Sequence, residues 1–156
     1  MANIMDGSAY LNQVKDLILE YTETLGRDLS FQHLSEELEH LDTKYTPPNG
    51  QILVALSDTG DVIGCVAYHR HSETRCEMKR LYVRPDYRGH RIGEALVSQI
   101  LALAKTDGYR EMVLDTLQFM KSAISLYTRF GFQQIAAYYE NPMEDVIYLK
   151  LEFPRR

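Results

Sequence analysis

The stretch LYVRPDYRGHRIGEAL, residues 81–96, joins the end of a predicted strand, a basic turn and the beginning of a predicted helix. Pro85 ends the strand because it cannot donate a hydrogen bond to a sheet ladder, and apolar residues at helical spacing begin at Ile92. The first amides of a helix have no partners within the helix and lie at the positive end of its dipole. Gly89 and Gly93 add no side chain that would keep a ligand away from the backbone. The stretch therefore predicts a site for phosphate oxygens, and a tight turn into a surface helix is the alternative.

The flanking segments predict the fold class. Apolar residues three or four positions apart predict helices at 8–26, 31–41, 92–107 and 123–130. Short β-rich runs bounded by turn-forming residues predict strands at 51–57, 61–70, 76–83, 110–116, 132–139 and 145–153. Because one helix separates the strands at 76–83 and 110–116, we expect these two strands to be parallel. Residues 1–156 are therefore predicted to form a single α/β domain, with a mixed, mostly antiparallel sheet flanked by about four helices.

The composition argues against several classes of protein. Apolar residues make up 45% and charged residues 25% of the chain, close to the average of globular domains. The formal net charge of −5 argues against broad nucleic-acid binding and has the wrong sign for anionic membranes. No apolar run is long enough to span a bilayer, and the N-terminal residues lack the layout of a secretion signal. We therefore expect no nucleic-acid partner, no membrane association and a cytoplasmic location.

The two cysteines point to neither a metal nor a disulfide. Cys65 and Cys76 do not form a CxxC pair, and no histidine or cysteine cluster at metal-ligand spacing accompanies them. We expect both thiols to be reduced and packed in the interior, and we expect no bound metal.

Two motifs give the chain its resemblance to a known family. RGHRIG, with Arg88 and Gly93 at its ends, resembles the pyrophosphate-binding motif of the GNAT superfamily of acetyl-CoA-dependent N-acetyltransferases, although Arg91 stands where that motif has its central glycine. AISLYTRFGF, residues 123–132, is similar to the superfamily's second landmark, a helix with Leu-Tyr followed by Gly-Phe at the next strand. The resemblance extends from about Ile52 to Phe153. The superfamily's usual first strand is either supplied by residues 2–5 or absent.

The resemblance implies a cosubstrate, an acceptor and a set of binding residues. The cosubstrate is acetyl-CoA, and the acceptor is a primary amine, with a small molecule favoured over a protein. A catalytically silent acyl-CoA-binding sensor is the alternative function, and a homodimer is left open. The strands are expected to splay apart at a bulge near Tyr82 and Val83, where a backbone N–H would stabilise the thioester oxygen. The residues implied in cofactor binding are Leu81, Tyr82, Val83, Arg88, Gly89, His90, Arg91, Ile92, Gly93, Glu94 and Tyr127.

Two residues are implied in catalysis, because the amine must lose a proton and the CoA sulfur must leave. An alkyl ammonium with a pKa near 10.4 is uncharged in only about one molecule in ~10³ at neutral pH. Glu77, on the strand next to the motif, is the candidate base, and an exposed glutamate paired with Lys79 or Arg75 is the alternative interpretation. Tyr127 matches the superfamily tyrosine that assists the departing thiolate, and a core aromatic residue is its alternative.

Other polar residues near the motifs have no assigned role. Met120 stands where many family members have an asparagine that contacts pantetheine, and Thr116, Lys121 and Ser122 are the polar residues nearby. His69 and His71 alternate on a predicted strand, where two histidines that face the solvent are expected rather than two that face the acceptor. Tyr138, Tyr139 and Asn141 belong to the segment that helps to shape the acceptor side in the family.

Overall fold

The computed structural model describes residues 2–26 and 34–154. Within these residues, seven strands form one sheet in the order β1-β2-β3-β4-β5-β7-β6, flanked by five helices. The strands are β1 (Asn3–Asp6), β2 (Gly50–Leu56), β3 (Val62–Arg70), β4 (Arg75–Val83), β5 (Glu111–Leu117), β6 (Gln133–Ile135) and β7 (Val146–Glu152). The helices are α1 (Leu11–Leu25), α2 (Leu34–Glu39), α3 (Leu41–Lys44), α4 (Ile92–Thr106) and α5 (Lys121–Arg129). The predicted fold class, a single α/β domain on a mixed sheet, is confirmed.

The sheet is antiparallel except where β4 meets β5. These two strands pair in parallel, as expected for strands joined by one helix, but their ladder ends after Glu77 and Val113. Beyond this point the two strands separate, so that the edge of β4 facing β5 has no strand partner over the rest of its length. The opening lies in the middle of the sheet and exposes backbone groups there.

A β-bulge in β4 accompanies the separation. The register with β3 passes from Ala67 opposite Lys79 to Cys65 opposite Tyr82, so that Val66 faces two residues of β4. One of these residues, Arg80, has a φ of 62°, in the left-handed region that side chains other than glycine seldom adopt. The bulge therefore lies at Arg80 and Leu81, slightly before the expected position at Tyr82 and Val83, and it redirects the chain at the point where β4 leaves β5.

Two apolar cores hold the helices on opposite faces of the sheet. Leu96, Ile100 and other residues of α4 pack on one face, together with β4 and β5 residues such as Met78 and Leu114. Val14 and other residues of α1, with the first residue of α3, pack on the opposite face against β2 and β3. The side chains of β2 and β3 thus alternate between two buried faces, which explains why these two strands are apolar along nearly their whole length.

Several predicted boundaries differ from the structure. The 132–139 strand is shortened to β6, because the chain leaves the sheet after Ile135 and crosses one of its faces. Residues 31–41 were predicted to be one helix, and the described part of this segment contains α2 and the first residue of α3; Phe31 lies outside the described residues. The family's first strand is present and is supplied by β1, which pairs with β2 at the sheet edge. None of the described helices is long and apolar enough to cross a membrane.

A buried ion pair anchors the bulge to α2. The guanidinium of Arg80 donates two hydrogen bonds to the carboxylate of Glu37, at 2.7 and 3.1 Å, and Lys44 Nζ donates a third at 2.7 Å. Burial would raise the pKa of Glu37, but the hydrogen bonds and charges of Arg80 and Lys44 outweigh it and lower the pKa to about 2. The strained backbone of Arg80 is thus held by a side chain contributed from a distant part of the chain.

Replacing Glu37 with glutamine is expected to destabilise the fold by about 3–5 kcal/mol, because the change leaves the Arg80 charge buried without a partner. Because the pKa of Glu37 in the folded state is lowered, its contribution to stability is present above the ordinary glutamate pKa of about 4.3 and is lost as the pH falls toward about 2. Urea unfolding at neutral and acidic pH measures both effects. Glu36→Gln, at the exposed neighbouring position, is the control. Equal stability of the two variants would contradict the role of the pair.

Candidate active site

The beginning of α4 is built as the motif predicts. The amide of Ala95 is the first that we find bonded within the helix, to the carbonyl of Arg91, so the amides of Ile92, Gly93 and Glu94 have no acceptor in the helix. Arg91 has a φ of 60°, and a glycine would adopt this conformation without strain. Arg91 therefore departs from the family motif in residue type but has the backbone conformation that a glycine would favour there.

The turn before α4 is open to a ligand. Gly89 has a φ of 87°, and a side chain at this position would meet no other atom within 4 Å. The exposed side chain of Arg88 folds back on the strand, where its Nε donates to the carbonyl oxygen of Val83 at 3.1 Å. A Cβ placed on Gly93 would lie 3.8 Å from Leu126 of α5 and 4.0 Å from Val83. The start of α4 therefore adjoins both the end of β4 and α5.

The separated strands enclose a cleft. It has a volume of about 110 Å³. Strands β4 and β5 form its long walls, and α1, α5 and the segment before β7 close its ends. The lining residues are Tyr21, Leu25, Met78, Lys79, Arg80, Leu81, Leu114, Asp115, Thr116, Leu117, Met120, Ala123, Tyr127, Met143 and Val146.

Tyr127 lies in the wall of this cleft. The residue is 7% exposed, and its ring packs against Phe132 with the ring centroids 5.8 Å apart. Burial raises the pKa of Tyr127 well above its usual range, and the nearby Tyr21 and Asp115 raise it further. The phenol therefore stays protonated at neutral pH and can donate a hydrogen bond into the cleft. Its position combines core packing with access to the cleft, so the ring has the packing of a core aromatic residue, while its role toward the departing thiolate stays a prediction.

Glu77 lies in a buried hydrogen-bonded cluster rather than on the surface. His69 Nε2 and His71 Nε2 each lie 2.9 Å from Glu77 Oε1, and the hydroxyl of Tyr138 donates to Oε2 at 2.7 Å. Burial would raise the pKa of Glu77, but these hydrogen bonds and the charge of Lys79 hold it well below its usual range. The alternative interpretation of an exposed glutamate does not describe this residue, which is 5% exposed, and the two histidines face Glu77 rather than the solvent alone.

The same cluster is the one group of described residues with the spacing of a metal site. One ligand atom from each of His69, His71 and Glu77 lies within 4.8 Å of the others. The sequence does not reveal this arrangement, because Glu77 lies next to the histidines only through the cross-strand pairing of β4 with β3, in which it is opposite His69. The carboxylate already accepts three hydrogen bonds, however, and the ammonium of Lys79 lies 4.0 Å from its Oε2 atom. These contacts explain the cluster without a metal ion.

A second carboxylate, that of Asp115, was missed in the sequence. Asp115 lies on β5 in the cleft wall and accepts a hydrogen bond from the hydroxyl of Tyr139, which in turn accepts one from Asn141 Nδ2 at 2.9 Å. Burial raises the pKa of Asp115 above its ordinary value, although Tyr139 and Lys79 oppose the effect. The signal in the sequence was an aspartate directly after the apolar residues MVL, 112–114, which no motif marks.

The residues considered as substitutes for the family asparagine separate into two groups. Met120 and Thr116 line the cleft, and the sulfur of Met120 lies 3.7 Å from the hydroxyl oxygens of both Tyr21 and Thr116. Lys121 and Ser122 are exposed in the first turn of α5 and are not part of the cleft lining. Where many family members have an asparagine, Met120 thus places an apolar side chain whose sulfur accepts only weak hydrogen bonds.

Comparisons with known proteins agree with this architecture. The solved structure of a GNAT-family acetyltransferase from Staphylococcus aureus matches with a TM-score of 0.81 at 21% identity, over 97% of this chain and 99% of that one. A PaiA N-acetyltransferase from Thermoplasma acidophilum, solved in complex with coenzyme A, matches with a TM-score of 0.74 at 18% identity, over 98% and 99%. At these identities the two structures support the fold alone.

Sequence similarity supports the family. An uncharacterized N-acetyltransferase of Schizosaccharomyces pombe is 44% identical over 146 residues, which cover 93% of this chain and 90% of that protein. The model of the acetyltransferase (GNAT) family matches residues 12–132, which include most of the residues that line the cleft, the bulge and the start of α4. The chain therefore belongs to the GNAT family of acetyltransferases.

Proposed function

We propose that this protein transfers an acetyl group from acetyl-CoA to a primary amine by direct attack, with a small molecule as the acceptor. The observation that carries the proposal is that one cleft combines the protonated phenol of Tyr127, an unpaired strand edge and ionisable side chains. Gly93, at the start of α4, lies next to Val83 and Leu126, which belong to the same strand and helix as the cleft-lining residues Leu81 and Tyr127. A thioester, a phosphate group and an amine would each find a suitable partner there.

The residues implied in cofactor binding have distinct parts in this proposal. The amides of Ile92, Gly93 and Glu94 and the turn from Arg88 to Arg91 would hold the pyrophosphate. The edge of β4 from Leu81 to Val83 would supply backbone groups to the pantetheine arm, and a backbone N–H at the bulge would stabilise the charge that develops on the thioester oxygen.

The chemistry requires one bond to form and one to break. The amine nitrogen forms a bond to the acetyl carbon, the bond from that carbon to sulfur breaks, and the amine loses a proton. Tyr127 is proposed to donate its hydroxyl proton, or a hydrogen bond, to the departing sulfur. Glu77 does not line the cleft and its carboxylate already accepts three hydrogen bonds, so it is proposed to receive the amine's proton only through a water molecule. Its contact with His71, which is exposed, provides a route for this proton toward the solvent.

Acetyl-CoA is expected to stabilise the folded protein, by about 2.7 kcal/mol at a concentration one hundred times its dissociation constant. Thermal unfolding with and without acetyl-CoA measures this effect, and a screen of amines for release of free CoA tests the transfer. Arg88→Ala should reduce the stabilisation, and NAD and ATP should give none of comparable size. An unchanged melting temperature at saturating acetyl-CoA, together with no CoA release, would contradict the proposal.

Tyr127→Phe is expected to lower kcat and kcat/KM together by about 10²-fold, because only the hydroxyl that assists the leaving sulfur is removed. The ring and its packing against Phe132 remain, so the melting temperature should stay close to that of the parent. Steady-state kinetics and a thermal scan of both proteins give the answer. Full activity of the variant would show that Tyr127 has only a structural role.

Glu77→Gln is expected to lower turnover by about 10²-fold near neutral pH and to recover part of it at high pH, where more of the amine is already deprotonated. In the parent, Glu77 should stay ionised across the assay range because its pKa is held low, so the rate should rise with pH only as the amine loses its proton. Glu73→Gln, at an exposed position, is the control. Parallel pH–rate profiles of parent and Glu77→Gln would show that the base is another group, and Asp115→Asn would then be measured.

A further inference from the structure

We infer that the acceptor is an amine that also carries a carboxylate, of the amino acid class, and that the ammonium of Lys79 binds this carboxylate in the cleft. The inference rests on the proposed function, because it names the acceptor of the same site. It is carried by the arrangement of charged side chains on the two strands that separate.

Lys79 is a buried cation with unused hydrogen-bonding capacity. Its side chain is 13% exposed and lies in the cleft wall. Within the described part of the chain its ammonium approaches one carboxylate, that of Glu77, and only at 4.0 Å, beyond hydrogen-bonding distance. An ammonium has three N–H donors, and burying it without acceptors is costly. A ligand anion in the cleft would supply the missing acceptor.

The carboxylate of Glu77 has little capacity left to satisfy Lys79. It accepts hydrogen bonds from two imidazoles and from the hydroxyl of Tyr138. The other cation in the cleft wall, Arg80, is bound in two-point fashion by Glu37. Among the described cleft residues, Lys79 is therefore the cation that remains available to a ligand.

Asp115 provides the complementary charge across the gap. Glu77 lies opposite Val113 in the last parallel pair, so Lys79 and Asp115, each two residues further along its strand, lie on the same face where the strands part. No salt bridge within 4.0 Å is found between these two described residues. Asp115 also acts electrostatically on Tyr127, the residue proposed to meet the sulfur. An acceptor with its amine beside Asp115 and its carboxylate beside Lys79 would match both charges and would place the amine at the reacting end.

The test compares acceptors that differ by a carboxylate, in the parent and in Lys79→Met. L-Phenylalanine with phenethylamine and L-leucine with 3-methylbutylamine are suitable pairs. The ratio of kcat/KM between parent and variant is taken for each acceptor separately, so differences in amine pKa between acceptors cancel. Calorimetric binding of each acceptor to the protein saturated with CoA gives a second readout that does not require turnover. Lys15→Met, at an exposed position on α1, is the control for loss of a lysine.

The expected result is that the parent prefers the carboxylate-bearing member of at least one pair. Lys79→Met should lower kcat/KM for that member by about 10- to 100-fold, mainly through KM, with little change for its partner amine. An equal loss for both members, or a parent that acetylates only amines without a carboxylate, would overturn the inference and leave the proposed function standing.

Binding separates the remaining outcomes. Lys79-dependent binding of the amino acid, with no release of CoA from any amine in the screen, would support Lys79 as a carboxylate-binding residue and overturn the proposed acetyl transfer. If no carboxylate-bearing acceptor binds or is acetylated, the inference is overturned. Should Lys79→Met fail to fold, Lys79→Gln is compared in the same way, and the preference of the parent is measured without any variant.

Discussion

The structure depends on the early end of the parallel pairing between β4 and β5. A continuous ladder would close the sheet at the position where the cleft lies, and no backbone group of β4 would be available to a ligand. The bulge at Arg80 and Leu81 turns β4 away from its neighbour, and the ion pair with Glu37 holds the strained residue in place. Helix α2 therefore contributes to the shape of the cleft through Glu37, its buried residue.

The separation of the strands also determines which charges can lie together. Lys79 and Asp115 avoid the close contact that continuous pairing would give them, while Glu77, in the last pair, is surrounded by partners. The segment after β6 completes this face, because Tyr138 donates to Glu77 and Tyr139 donates to Asp115. Two adjacent tyrosines thus fix two carboxylates on neighbouring strands, and this polar layer lies where most of the sheet is covered by apolar side chains.

Local signals in the sequence predicted the strand–turn–helix of residues 81–96, the parallel pair of strands and the helix that carries Tyr127. Turn residues, helical spacing and motifs all lie within short windows of sequence. The Glu37–Arg80 pair joins residues 43 positions apart, and no local pattern reveals it. The cluster around Glu77 depends on strand register and on Tyr138, which was expected to lie on a strand but lies on a crossing segment. Asp115 was missed because a single carboxylate after an apolar run resembles an ordinary surface position until the sheet is assembled.

Arg91 meets, at a cost in stability, a backbone requirement that a glycine would meet without strain. A residue with a side chain in the left-handed conformation is less stable than glycine there by roughly 1–2 kcal/mol. The side chain also adds a positive charge at the residue before α4, so the proposed binding of a phosphate group at this loop is expected to weaken more steeply with rising salt than it would with a glycine there.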